Sequence, residues 1–135
     1  MAYLEWREEF SVGVPSIDAQ HQKLIGMIND MYDEYRGDKP AHTVKAVLAE
    51  MEEYARVHFK TEEHYFDKFQ YPDSKSHKNE HAVFFDELGY FKKRLNDNPD
   101  NLDLDLLNFL REWFEQHILG KDRKYGPFLV EHGVD

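Results

Sequence analysis

Cysteine is absent from the 135-residue chain, which excludes a disulfide framework, a thiolate metal site and a cysteine nucleophile. Also lacking is any apolar run near the roughly 18 residues needed to span a bilayer. The opening MAYLEWREEF has neither the basic start nor the long apolar stretch of a signal peptide. A cytoplasmic protein with no membrane insertion is the expectation. Positive charge is scarce: 17 Lys and Arg against 27 Asp and Glu give a formal net charge of −10, which argues against sequence-independent binding of nucleic acid or anionic membranes. Strand-like alternation, repeats and low-complexity tracts are missing as well. What is present is 41% hydrophobic and 15% aromatic content, which suits one compact domain over residues 1–135 with a core rich in Phe and Tyr.

Helical periodicity fills most of the chain. Ile17, His21, Leu24, Ile25, Ile28 and Met31 recur at steps of three and four from about Ile17 to Tyr35, with Ser16 or Asp18 to cap the start and Gly37 with Pro40 to end it. A second segment, from about Ala41 to Phe69, has its stripe at Val44, Val47, Leu48, Met51 and Ala55 and closes at Tyr71-Pro72. Asp73 and Ser74 can cap a third, whose stripe is His77, His81, Phe84, Leu88, Phe91 and Leu95. Asn96-Asp97-Asn98-Pro99 stops it, because proline disfavours helix in the residue before it. A fourth runs from about Leu102 to Leu119, with Leu106, Leu110, Trp113 and His117 on one face and Gly120 beyond. Short loops make consecutive helices antiparallel neighbours. The pattern predicts an all-α, up-down-up-down antiparallel four-helix bundle, with an N-terminal arm carrying Trp6 and Phe10 and a short C-terminal segment, KYGPFLVEHG, packed across the outside.

Every one of those apolar stripes carries histidine: His21 on the first, His58 on the second, His77 and His81 on the third, His117 on the fourth. In the stretch VHFKTEEHYF, Glu62 follows His58 by four and shares its face, so a carboxylate points into the core. A single histidine on an apolar stripe is ordinarily a hydrogen-bonded core residue. Five on four converging stripes are different, because burying them unpaired, with an ionised Glu, costs on the order of several kcal/mol. A metal centre removes the conflict: imidazole and carboxylate become ligands, and cation charge offsets anion charge. Five imidazoles with Glu62 and Asp122 exceed the four ligands of one zinc and fit two first-row ions bridged by carboxylates. Ligand type leaves iron, zinc, copper and nickel open.

Asp122 is the weakest member by spacing, five beyond His117 and off-face for a continuous helix. Gly120 lies between them and can let the chain leave helical geometry and return Asp122 to the site; alone, Asp122 reads as a solvated charge in KDRK. His42, His64 and His132 read as ordinary surface or helix-start residues, and Glu52, Glu53 and Glu63 as solvated or capping charges. His77-Lys78-Asn79-Glu80-His81 also fits the H-x-x-E-H pattern of inverted zinc peptidases. That reading leaves His21, His58 and His117 unexplained.

The residues Ser16-Ile17-Asp18-Ala19-Gln20-His21 with Leu24, His58-Phe59-Lys60-Thr61-Glu62-Glu63, Tyr71-Pro72 with His77-x3-His81, and Trp113-x3-His117-Ile118-x3-Asp122 together resemble the hemerythrin family, and within it the stand-alone bacterial type. Trp6, Ser11-Val12-Gly13 and Lys124-Tyr125-Gly126-Pro127-Phe128 extend the resemblance over essentially the whole chain. The resemblance implies a non-haem centre of two iron ions joined by a solvent-derived oxygen. His77, His81 and His117 would hold one ion, His21 and His58 the other, with Glu62 and Asp122 bridging. The second ion then has one imidazole fewer and a position open to dioxygen. Leu24, Phe59, Trp113 and Ile118 fill the places that line the family's oxygen pocket, while Phe114 is bulkier than the Leu of many relatives. The function implied is reversible oxygen binding for transport, storage or delivery, by a monomer, with an oxygen-consuming enzyme as receiver. Two alternatives are a di-iron oxidase or peroxidase-type enzyme and a di-iron oxygen or redox sensor. Ferritin-like di-iron enzymes use paired E-x-x-H motifs, and E-x-x-H occurs nowhere in this chain, so no enzyme is expected. Sensors are commonly fused to signalling domains, for which 135 residues leave no room.

Overall fold

The computed structural model describes residues 3–37 and 43–135, and these contain helices and no strand. The helices are α1 (Pro15–Arg36), α2 (Val44–Phe69), α3 (Ser74–Asp97), α4 (Leu102–His117) and α5 (Arg123–Glu131), with a 3-10 turn at Glu8–Phe10 and a π-helical turn at Ile118–Asp122 between α4 and α5. Two compact units divide the chain, Met1–Lys39 with Leu107–Asp135 and, between them in sequence, Pro40–Leu106. Among the described residues no helix is long and apolar enough to cross a membrane.

In the first unit, α1 begins two residues before the expected start. Pro15 occupies its first turn and Val14 its N-cap, without a side-chain capping bond; proline suits that place because its fixed φ is already helical and its missing N–H would have no helical acceptor. Ser16 therefore lies inside the helix, and Asp18 serves the arm instead of the cap. Its carboxylate accepts from Ser11 Oγ at 2.6 Å and from the Val12 N–H at 2.9 Å. Asn29 secures the arm further along, accepting from the Leu4 N–H and donating to the Leu4 carbonyl, each at 2.8 Å. The arm is consequently core material rather than an outer wrapping: Phe10 is fully buried and meets the edge of Phe114 with ring centroids 5.0 Å apart. Gly37 ends α1 in the left-handed region at φ 83°, as expected of a glycine stop; Pro40 lies outside the described residues.

The C-terminal segment is helical too. Although Pro127 sits inside α5, Tyr125 and Leu129 are fully buried. Gly126 packs so closely on the arm that a Cβ there would lie 2.1 Å from the Val12 carbonyl oxygen.

The second unit is a helical hairpin, α2 and α3, followed by the start of α4. Thr43 caps α2 by accepting from the Ala46 N–H at 3.1 Å; the earlier start expected at Ala41, and His42, fall outside the described residues. Gln70 ends α2 in the left-handed region at φ 55°, and Tyr71 folds back on Phe66 at 4.9 Å. Asp73 stands at the N-cap of α3 without a side-chain capping bond. Val47, Leu48, Met51, Ala55 and Phe66 from α2, with Phe84, Leu88 and Phe91 from α3, are buried. Arg94 fastens the turn into α4, donating to Asp105 Oδ2 at 2.7 Å and to the Asp100 carbonyl at 2.9 Å.

Candidate metal centre

In the second unit the buried stripe of α2 delivers Glu62 to two histidines of α3. Glu62 is fully buried, and its Oε1 lies 3.0 Å from His81 Nε2, 3.7 Å from His77 Nε2 and 3.6 Å from His58 Nε2. Glu62, His77 and His81 each offer a ligand atom within 4.8 Å of the others. Aromatic rings fix the imidazoles: Phe59 stacks face to face on His81 with centroids 3.7 Å apart and planes at 4°, Phe66 stands edge-on to His77 at 4.9 Å, and Tyr54 stacks on His58 at 5.6 Å.

In the first unit Asp122 stands between two imidazoles. Its Oδ2 is 3.0 Å from His21 Nε2 and its Oδ1 is 3.0 Å from His117 Nε2. Five residues of α-helix, at about 100° each, would place Asp122 about 140° round the axis from His117. The π-helical turn Ile118–Asp122 removes the mismatch, since its i to i+5 repeat brings the fifth residue back over the first. The expected escape from the helix at Gly120 is thus replaced by a wider helical turn: Gly120 is not among the positive-φ residues. Trp113, one turn before His117, stacks on it at 4.5 Å and 13°, and Phe114 stands edge-on to His21 at 6.4 Å.

None of these seven donors is more than 4% exposed. Two ionised carboxylates at that depth are untenable without positive charge close by. Imidazole supplies it by protonation, or a metal ion supplies it directly. The arrangement favours the ion, because the Nε2 edges of His21 and His117 converge on Asp122, and those of His77 and His81 on Glu62, in the manner of ligands sharing a cation. Nitrogen and oxygen donors without sulfur suit a first-row metal.

The remaining sequence expectations divide. Leu24 and Ile118 are buried, Phe59 and Trp113 lie against the His81 and His117 rings, and Trp113 itself is half-buried. His64 and His132 are exposed. The Nε2 atoms of His77 and His81 both face Glu62, a residue outside the H-x-x-E-H pattern. Glu63, expected as a solvated or capping charge, is partly exposed and has a specific partner: its Oε2 lies 2.7 Å from His81 Nδ1. The signal that could have found it is the rule that a ligating histidine hydrogen-bonds through its other ring nitrogen.

The family model "Hemerythrin HHE cation binding domain" matches residues 12–129, a span that holds all seven donors. The chain belongs to the hemerythrin family. It is 34% identical over 125 residues to the bacteriohemerythrin of Clostridium acetobutylicum, covering 89% of this chain and 96% of that one. A bacteriohemerythrin of Methylococcus capsulatus is 30% identical over 130 residues, covering 96% and 98% of the two chains. A hemerythrin-like protein of Naegleria gruberi is 35% identical over 125 residues, covering 92% of each. Among solved structures, a wild-type hemerythrin matches with a TM-score of 0.81 and 28% identity over 93% of this chain and 97% of that chain. A hemerythrin carrying a leucine-to-alanine substitution matches with a TM-score of 0.81 and 29% identity over 94% and 97%. The fold is therefore the all-α, up-down-up-down four-helix bundle that the periodicity predicted.

Proposed function

We propose that the hemerythrin centre of this chain holds two iron ions on the seven buried donors. His77, His81 and His117 would bind one ion, His21 and His58 the other, and Glu62 and Asp122 would bridge. On this reading residues 1–135 act as a single hemerythrin-like domain. The observation that carries it is the pair of buried carboxylates, each with an oxygen 3.0 Å from imidazole Nε2 atoms. Oxygen binding at a di-iron site is the function of the family, and two ferrous ions supply, when bound, the electrons and the open coordination position that reversible dioxygen binding needs.

The protein's own residues set the conditions. Glu62 and Asp122 would contribute two negative charges to hold divalent ions, with the imidazoles as neutral ligands. Leu24, Phe59, Trp113 and Ile118 occupy the positions that line the family's oxygen pocket, and their apolar side chains would keep water and small anions out and so make the binding reversible. Phe114, fully buried between Phe10 and His21, stiffens the wall beside the pocket. The chain works as a cytoplasmic monomer that carries, stores or hands dioxygen to an oxygen-consuming enzyme, and it is not itself an enzyme.

Anaerobic reduction followed by cycling between air and argon, watched by visible absorption, tests the function. A band that appears in air and disappears under argon through repeated cycles is the expected result. One-way oxidation would replace the carrier with an enzyme or a sensor. Elemental analysis should return two irons per chain.

A further inference from the structure

Within the second unit, one turn of α2 closes on a single imidazole from three directions. Phe59 lies flat on the His81 ring with centroids 3.7 Å apart. Glu62 Oε1 faces Nε2 at 3.0 Å, and Glu63 Oε2 faces Nδ1 at 2.7 Å. The two carboxylates differ in setting: Glu62 is fully buried, whereas the Glu63 side chain is 33% exposed. Both nitrogens of His81 are thus spoken for, and which one carries the proton decides which can take a metal ion.

We propose that Glu63 is a positioning residue that fixes His81 as the Nδ1–H tautomer and so leaves Nε2 as the ligand atom. This rests on the metal reading given above. A carboxylate accepts only, so Nδ1 must donate across the 2.7 Å contact. The lone pair is then confined to Nε2, on the side of Glu62. A negatively charged acceptor behind the ring also pushes electron density toward Nε2 and strengthens it as a donor. Phe59 holds the plane of the ring, because turning it about the Cβ–Cγ bond would break the face-to-face stack. Adjacent residues of α2 therefore play different parts: Glu62 meets the ligand edge of the ring and Glu63 its far edge.

The test uses three proteins, the parent chain, Glu63→Ala and Glu63→Gln, each titrated with Co(II) alone in competition with a chelator of known affinity. Ring ¹⁵N spectra of His81 are recorded on the same proteins loaded with diamagnetic Zn(II). The parent should take up two ions and show a protonated, hydrogen-bonded Nδ1. Glu63→Ala should weaken Co(II) binding about 10–100-fold and lose the hydrogen-bonded Nδ1–H signature. Glu63→Gln keeps an acceptor oxygen and should recover most of the affinity. That rescue, with the ¹⁵N pattern, separates positioning from a general loss of packing. Parent-like affinity and an unchanged Nδ1–H signal in Glu63→Ala would overturn the inference while leaving the two-ion centre standing. A parent that binds no Co(II) would overturn both together.

Discussion

Two glycine-to-alanine changes, chemically identical, should move stability in opposite directions. At Gly126 an added Cβ would sit 2.1 Å from the Val12 carbonyl oxygen and 3.0 Å from its carbonyl carbon. Those are backbone atoms, so no rotamer change can relieve the clash, and the arm or α5 must retreat by about 1 Å. The arm is poorly placed to yield, because the Val12 N–H is held by Asp18 at 2.9 Å and the Val12 side chain is itself buried. The cost therefore belongs at or above the top of the usual overpacking range of about 1–3 kcal/mol. For a chain of this length, about 3 kcal/mol lowers Tm by about 10 °C. At Gly89, inside α3, an added Cβ meets nothing within 4 Å. There alanine restores helix propensity and should raise stability by about 0.5–1 kcal/mol, or about 2–5 °C. Differential scanning calorimetry of both variants, with and without metal, is the assay. Shifts of the same sign, or a Gly126→Ala protein melting within about 2 °C of the parent, would refute the claim that contact with the arm, rather than backbone freedom, requires glycine at 126.

Glu62→Ala and His77→Ala should each lose iron loading and melt earlier, because the buried partners are left without counter-charge; a variant that elemental analysis shows still carrying both ions would remove that residue from the ligand set. Leu24→Ala and Trp113→Leu should keep their metal content but shorten the lifetime of the air-dependent absorption band, and unchanged decay would count against the pocket assignment. Stripping the metal with a chelator should lower Tm by about 10 °C for each ion held at a free concentration of about 100 times its Kd, from the roughly 2.7 kcal/mol of linkage per site. Gln70 holds a left-handed φ of 55°, so Gln70→Gly should stabilise by about 0.5–1 kcal/mol despite glycine's greater unfolded-state freedom, read as a higher urea midpoint.

Punctuation that acts locally was legible in the sequence. Gly37 stops α1 because a left-handed residue is needed there, and Tyr71-Pro72 and Asn98-Pro99 fall just past the ends of α2 and α3, where proline disfavours helix in the residue before it. The histidine stripes were legible for the same reason, since spacing on one helix fixes the face. What the spacing did not reveal depended on other segments. Asp18 has the chemistry of a capping residue, yet its acceptor oxygens go to Ser11 and Val12, which only the folded arm brings within reach. Glu63 is one residue off the ligand face of α2, and its partner is the rear nitrogen of a histidine on α3. The arm and the C-terminal segment are too short for spacing alone to place them, and their burial comes from tertiary packing around Phe10, Tyr125 and Gly126. Asp122 lies between these cases: its departure from α-helical spacing was visible, but the wider turn that accommodates it was not.

That wide turn also sets the phase of everything after it. Asp122, Tyr125 and Leu129 follow one another at steps of three and four, and all three are fully buried. Deleting a single residue between Ile118 and Lys121 would leave the aspartate four residues after His117, where an ordinary α-helical turn places it about 40° round the axis and keeps the trailing segment close to its present phase. Asp122, Tyr125 and Leu129 would keep their common buried face. Losses of one residue here are therefore better tolerated than gains of one, and substitutions at the exposed Gly120 leave the angular relation intact.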